Sequence, residues 1–237
     1  MVKSCVIGTT GDCISDALSM KEFFKRTLDK ECCQLVGLSA IRNNVLSLFK
    51  NAEMMTTDDT LVIYFAGHTE QRPAPKNCES CQQLYPEFYE DCISEAESLR
   101  TIDGNIRWSL AFLDAKCPLA NEADGKNEVM LLYGSEIIDN ELLNALKKLK
   151  CKVIFIADTC FAGGLPDKLS DIQSPEIHFF CSSQEHEKSW DGNFTDAFIE
   201  EIEKAMTTFP ELKIAEKDIV LLMRAAFDRT KSALISK

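Results

Sequence analysis

Two unbroken apolar runs, residues 60–66 and 151–157, constrain the fold more than any other feature of this chain. A strand with one wet face alternates apolar and polar residues, whereas a continuously apolar strand is typical of a sheet covered on both faces. These runs alternate with segments of helical periodicity, which predicts an α/β fold: a mainly parallel β-sheet with helices on both faces. Strands are expected at 2–8, 33–37, 60–66, 128–133, 151–157 and 177–182, and helices at 13–28, directly after an N-cap at Ser39, and at 139–149, 194–208 and 216–231.

The length of 237 residues suits one domain with one large core. Periodicity dissolves between residues 69 and 127, where prolines, cysteines and polar residues predict a long irregular insertion. We therefore expect a single domain over residues 1–237 that carries that insertion.

The charge and the apolar pattern exclude several classes of partner. A formal net charge of -12 argues against nucleic acid and anionic membranes, and it slightly favours cationic substrates. The first residues are broken too soon by Gly8 and Asp12 for a signal peptide, and no apolar run reaches the roughly 18–20 residues of a membrane span. Eleven cysteines are then expected to be mostly reduced thiols in a cytoplasmic protein.

Two of the predicted strands lead directly to residues that can carry out nucleophilic catalysis. His68 follows the apolar run 60–66, and Cys160 follows the run 151–157. In open α/β sheets, binding and active sites lie just beyond the carboxyl ends of the strands. A cysteine nucleophile needs a nearby base or a lowered pKa, and the chain offers only three histidines for that role. The sequence therefore predicts Cys160 as nucleophile and His68 as general base and acid.

Five segments in the same order resemble the caspase-like cysteine peptidases, and in particular their metacaspase branch. The segment around Cys160, Asp-Thr-Cys-Phe-Ala-Gly-Gly, resembles the D-x-C-x-x-G element of that branch. The other segments are residues 11–17, 64–68, 138–142 and the pair 182–184 with 192–198. The likeness covers most of the chain and fails in the insertion. It implies a caspase-like fold and hydrolysis of peptide bonds, and it favours a single catalytic domain over residues 1–237 without a prodomain.

The resemblance also implies a substrate preference. In metacaspases, the residues that match Asp158 and Asp16 line the pocket for the side chain before the scissile bond. Two carboxylates in one pocket repel each other, and a guanidinium or ammonium group relieves that repulsion. Cleavage after Arg or Lys is therefore expected, with Trp190 forming the wall of a neighbouring subsite.

Backbone N–H groups are expected to hold the oxyanion of the tetrahedral intermediate. The resemblance implies that the N–H of Cys160 shares this role with a backbone group at or beside Gly67. That second group belongs to Gly67 or to Thr69. Thr69 stands where the family usually has glycine, and Ala66 replaces the usual serine. These departures leave an alternative function open: a catalytically weakened homologue that binds basic peptides or a protein partner without cleavage.

Metals and self-processing are secondary expectations. The resemblance suggests calcium activation, with Asp167 and Asp124 as ligands, against the alternative of a solvated acidic loop. A four-thiolate zinc site built from Cys78, Cys81, Cys92 and Cys117 is disfavoured relative to unrelated thiols. Lys168, Arg72 and Lys76 are candidate self-cleavage sites, although ordinary surface residues are favoured. The resemblance to metacaspases, rather than to caspases that pair through an edge strand, implies a monomer.

Overall fold

The computed structural model describes residues 1–28, 30–74, 82–83, 125–166, 175–186, 193–208, 224 and 227–228. Its central feature is a parallel five-stranded sheet in the order β2-β1-β3-β7-β8. The strands are β1 (Val2–Gly8), β2 (Cys33–Val36), β3 (Thr60–Ala66), β4 (His68–Pro73), β5 (Lys126–Leu132), β6 (Ser135–Ile138), β7 (Lys152–Asp158) and β8 (Ile177–Cys181). The helices are α1 (Gly11–Thr27), α2 (Arg42–Ala52), α3 (Asp139–Lys147) and α4 (Asn193–Thr208), with short 3-10 turns at Gly37–Ser39 and Ala162–Gly164.

The two central strands explain why their sequences are continuously apolar. On β3, Ile63 and its alternate neighbours pack into one core with α2 and α3, whereas Val62 and its alternate neighbours pack into a second core with α1 and α4. On β7, Phe155 and Ile156 divide between the same two cores. Every residue of β3 is buried. The predicted α/β architecture, a mostly parallel sheet covered on both faces, is therefore confirmed.

The start of the second helix differs from the prediction. Ser39 does not cap it, because α2 begins at Arg42 and Ser39 lies in the preceding 3-10 turn. The Ser39 hydroxyl accepts the Val36 N–H at 2.8 Å and donates to the Val36 carbonyl oxygen at 2.9 Å. A serine hydroxyl can bond locally to either kind of backbone group, so the same residue type marks a turn as readily as a helix start.

Two strands were not predicted. β4, β5 and β6 form a three-stranded sheet in that order, and β5 pairs antiparallel with β6. β4 reads His-Thr-Glu-Gln-Arg-Pro, without the apolar alternation that marks a strand. β6 has only four residues and runs directly into α3. Pairing within the sheet, rather than residue preference, makes these segments strands.

By its contacts the chain divides into two compact units, one comprising Met1–Glu70 with Glu128–Lys237 and the other Gln71–Asn127. The first unit carries the five-stranded sheet and its covering helices. In the second, the Ala74 N–H donates to the Gly125 carbonyl oxygen at 2.8 Å. The predicted helix at 216–231 lies almost entirely outside the described residues, and Cys78, Cys81, Cys92, Cys117, Lys76 and Lys168 lie wholly outside them. Among the described helices, none has the length and apolar character needed to cross a membrane.

Candidate active site

The site forms where three parallel strands end at the same level of the sheet. Gly8 of β1 pairs in register with Ala66 of β3, and Ala66 pairs with Asp158 of β7. The residues that follow these ends, including His68 and Cys160, therefore emerge side by side. The register of the sheet, rather than any loop, is what brings the predicted nucleophile and base together.

A pocket of about 160 Å³ opens at these strand ends. It contains the predicted catalytic pair and both predicted specificity carboxylates. His68 is exposed, Cys160 is half-buried, and Asp16 is half-buried on α1. Its lining residues are Thr10, Gly11, Asp12, Cys13, Asp16, Gly67, His68, Asp158, Thr159 and Cys160.

Asp158 is held by a buried hydroxyl network. Asp158 is only 8% exposed. The Thr195 hydroxyl, from the first turn of α4, donates to Asp158 Oδ2 at 2.7 Å, and the Tyr64 phenol donates to the same oxygen at 3.3 Å. The Tyr64 and Thr195 oxygens are also within hydrogen-bond distance of each other, and because each hydroxyl has one proton, two protons are shared among these three contacts. The network therefore holds Oδ2, one of the two carboxylate oxygens of Asp158, in a fixed position.

Tyr64 is chemically suited to this role because it keeps its proton. Burial raises the pKa of Tyr64 well above its usual range, and the negative charges of Asp158 and Asp16 raise that pKa further. The phenol is therefore a donor to Asp158 throughout the ordinary pH range. The influence of Asp16 on this pKa also places the carboxylate of α1 near the Asp158 network, in agreement with the pocket that both carboxylates line.

The loop after Cys160 turns sharply. Phe161 adopts the left-handed conformation, with φ 54 and ψ 21, and is the one non-glycine residue with positive φ in the described part of the chain. Such a conformation is disfavoured for residues with a side chain, and it is found most often at functional sites. A 3-10 turn follows at once, at Ala162–Gly164. The strained residue thus reverses the chain immediately after Cys160.

Two serines after β8 brace that loop. The Ser182 hydroxyl accepts the Thr159 N–H at 3.1 Å, and the Ser183 hydroxyl donates to the Thr159 carbonyl oxygen at 2.8 Å. Ser183 also accepts the Ala162 N–H at 3.0 Å. The hydroxyl bonds therefore hold the backbone on both sides of Cys160. We call Ser182 and Ser183 the serine brace.

The predicted oxyanion donors differ in their surroundings. The Gly67 N–H already donates to the Asp158 carbonyl oxygen at 3.3 Å, which ties the ends of β3 and β7 together. Thr69 is buried, and its hydroxyl bonds the Thr159 hydroxyl at 2.8 Å. The Cys160 N–H forms no hydrogen bond with any residue that the structure describes. Of these groups, the Cys160 N–H is the best placed to receive a developing oxyanion.

Gly67 is required by close packing rather than by an unusual dihedral angle. A Cβ atom at this position would lie 2.5 Å from the Phe65 ring and 3.0 Å from the side chain of Thr9. Real Cβ atoms do not approach other atoms so closely, so any larger residue would force the buried Phe65 ring or the Thr9 side chain to shift. Glycine at 67 therefore allows these two side chains to pack against the backbone beside His68.

The predicted calcium ligands Asp167 and Asp124, and the predicted subsite wall Trp190, lie outside the described residues. Asn127 and Glu128 at the start of β5 are buried, and a Cβ atom at Gly164 would clash with the Glu128 carboxylate. The described residues contain no group of three or more His, Cys, Asp or Glu side chains able to hold a metal ion. Asn127 and Glu128 supply oxygen atoms of the type that calcium prefers.

Sequence reasoning missed Tyr64, Thr195 and the serine brace as parts of the site. A signal existed for Tyr64, because a tyrosine within an apolar buried strand must find a partner for its hydroxyl. Thr195 and the serines lie in the segments 192–198 and 182–184 that resemble the family, but that resemblance gave no individual role to them. Their roles depend on which strand ends lie opposite them in the folded chain.

A thiol and an imidazole that share a pocket at the carboxyl ends of parallel strands define a candidate cysteine hydrolase on an α/β sheet. The family comparison makes the class specific. Residues 9–230 match the model of the caspase domain, so the chain belongs to the caspase-domain family and is a cysteine peptidase domain of the caspase clan.

A solved structure from Geobacter sulfurreducens shares the fold. The two chains are 14% identical, with a TM-score of 0.50, and the match covers 87% of this chain and 82% of the other. At this identity the likeness concerns the fold alone. A search of curated proteins gives no match.

Proposed function

We propose that this protein is a cysteine endopeptidase of the metacaspase type that cleaves peptide bonds after Arg or Lys. The observation that carries the proposal is that Asp16 and Asp158 line the same pocket as Cys160 and His68. Two carboxylates in a small, partly buried pocket destabilise each other, and a cationic side chain removes that repulsion. The net charge of -12 favours the approach of a basic substrate.

In the proposed mechanism, His68 takes the proton of the Cys160 thiol, and the thiolate sulfur attacks the carbonyl carbon of the scissile bond. The oxyanion that forms is held by the Cys160 N–H. The intermediate collapses to a thioester as the C–N bond breaks, and His68 protonates the departing amine. Water, deprotonated by His68, then attacks the thioester and releases the acid product and Cys160.

Peptides with Arg, Lys or Asp before a fluorogenic amide test this proposal. We expect turnover with Arg and Lys, none with Asp, and none with the variant Cys160→Ala. Asp158→Asn should lower kcat/KM for the Arg peptide about 10- to 150-fold, because a hydrogen bond to a charged group contributes roughly 1.5–3 kcal/mol. Asp196→Asn, which removes an exposed carboxylate of α4, is the matched control and should change kcat/KM little. Cleavage after Asp would refute the assignment of the pocket.

We propose calcium as an activator, with Asp124 and Asp167 as ligands and Asn127 and Glu128 as further oxygen donors. Bound calcium would supply a fixed positive charge to these oxygen atoms. The test is the same assay with millimolar calcium and with a chelator, on the wild type and on Asp167→Asn. Activity that is equal in calcium and in chelator would remove calcium from the proposal.

One observation favours a second function, binding without cleavage. Thr69 replaces the usual glycine, and its hydroxyl is tied to Thr159, next to the nucleophile. If this replacement prevents catalysis, a labelled Arg-containing peptide should bind the wild type and the variant Cys160→Ala equally, without turnover. Thr69→Gly should then restore cleavage. We propose a monomer in either case, which sedimentation measures directly.

A further inference from the structure

A pair of thiols lies on strands β1 and β2, outside the peptidase site. Cys5 and Cys33 are direct register partners on these neighbouring parallel strands. Side chains of such partners point to the same face of a sheet. The Cys5 and Cys33 thiols are close enough for a side-chain hydrogen bond between them to shift the pKa of each. Cys5 is fully buried, whereas Cys33 is exposed on β2, which is an edge strand of the sheet.

The pair is electronically asymmetric. The hydrogen bond from Cys5 lowers the pKa of Cys33 to about 6, and the backbone N–H of Gln34 and the charge of Lys21 lower it as well, against a rise due to burial. The same hydrogen bond, together with burial, raises the pKa of Cys5. At neutral pH the exposed member is therefore a thiolate and the buried member retains its proton.

We propose that Cys33 is a site of oxidation by hydroperoxides and that Cys5 is its resolving thiol. The Cys33 thiolate attacks the peroxide oxygen, the O–O bond breaks, and Cys33 becomes a sulfenic acid while water or an alcohol leaves with a proton. The Cys5 sulfur, losing its proton, then attacks the Cys33 sulfur and expels water. The peroxide is reduced by two electrons, and the two thiols are oxidised to one disulfide.

The strand geometry suits this product. Neighbouring strands lie about 4.7–4.9 Å apart, and disulfides form across Cα separations of roughly 4.4–6.8 Å. Neither strand has to move far to close the bond. Cys32, the residue directly before Cys33, belongs to the core on the face of the sheet opposite to Cys5, so it is a control thiol at almost the same position with a different orientation.

The test uses the full chain with Cys160→Ala, which removes the peptidase thiol from the background. After treatment with hydrogen peroxide, peptide mapping under non-reducing conditions should find a Cys5–Cys33 disulfide. Cys32→Ser should leave its yield unchanged, and Cys33→Ser should abolish it. Cys5→Ala should replace the disulfide with a sulfenic acid at Cys33 that dimedone traps. A Cys32–Cys33 disulfide, or no cross-link and no trapped sulfenic acid, would overturn the proposal.

A second measurement does not depend on the disulfide. The rate of Cys33 alkylation by iodoacetamide should rise with a midpoint near pH 6, with Cys5 and Lys21 as the ionisable groups that influence it. At pH 6, Cys5→Ala should slow this alkylation by about tenfold, because the thiolate fraction falls. A Cys33 rate that Cys5→Ala leaves unchanged would show that the two thiols do not interact, and would also overturn the proposal.

Discussion

Replacing Thr195 with valine tests the network that holds Asp158. Valine keeps the shape of threonine and removes the hydroxyl that donates to Asp158 Oδ2 at 2.7 Å. Thr195 is 0% exposed and Asp158 is 8% exposed, so water cannot readily replace the lost donor. The change therefore removes a hydrogen bond to a charged group in a buried setting.

The loss of this buried hydrogen bond determines how far Thr195→Val should lower the free energy of unfolding. A hydrogen bond to a charged group contributes roughly 1.5–3 kcal/mol to the free energy of unfolding. In a chain of this size, 1 kcal/mol corresponds to about 2–4 °C in Tm, so Thr195→Val should lower Tm by about 3–12 °C. Thr195→Ser keeps the hydroxyl and removes a methyl group, which should cost about 1 kcal/mol.

The assay has two parts, urea unfolding and steady-state kinetics with an Arg peptide. If Asp158 binds the substrate cation as proposed, Thr195→Val should raise KM more than it lowers kcat, and Thr195→Ser should leave KM close to that of the wild type. A Thr195→Val variant within about 0.5 kcal/mol of the wild type, or less destabilised than Thr195→Ser, would refute the reasoning about the network.

Three further predictions concern stability. Arg42→Met should lower the free energy of unfolding by about 3 kcal/mol, because Arg42 and Glu141 form an ion pair in which each side chain is 11% exposed; Arg26→Met, at an exposed pair, should cost under about 1 kcal/mol in the same denaturant titration. Phe161→Gly should be about 1 kcal/mol more stable than Phe161→Ala, because only alanine is strained at φ 54; equal stabilities would contradict the left-handed conformation. Hydrogen bonds from the backbone N–H and the hydroxyl of Thr56 lower the pKa of Asp59 to about 2, so its stabilisation is complete well above pH 3.8 and is lost as the pH falls through about 2. Asp59→Asn should therefore unfold more easily than the wild type at pH 7, and this difference should be much smaller at pH 2, as thermal scans at the two pH values would reveal.

The sequence predicted the central sheet because its strands are buried on both faces, which leaves a continuous apolar signal in residues 60–66 and 151–157. It placed His68 and Cys160 at strand ends for the same reason. β4 was missed because its residues are polar and its strand conformation depends on pairing with β5. The local pattern of residues therefore predicted the central five-stranded sheet and missed β4 of the three-stranded sheet.

The residues of the candidate site likewise comprise some that the sequence could locate and others that it could not. Residues adjacent to the strong strands, such as Asp158, could be located along the chain. Thr195 and the serine brace could not, because they reach the site from α4 and from the loop after β8, more than twenty residues beyond Cys160. Contacts between distant segments depend on strand order, and periodicity does not reveal strand order.

The serine brace has a consequence for how this region can change in length. Ser182 follows β8 directly, and β8 is fixed in register against β7, so the distance from the last paired residue to Ser182 is set to a single step of the chain. Inserting or deleting one residue there would move both hydroxyls away from the Thr159 peptide and the Ala162 N–H together. Substitutions at Gln184, which is exposed, should be tolerated far better than any change in length between Cys181 and Ser183. The number of residues between Cys181 and Ser183, more than their identity, therefore keeps the backbone around Cys160 in position.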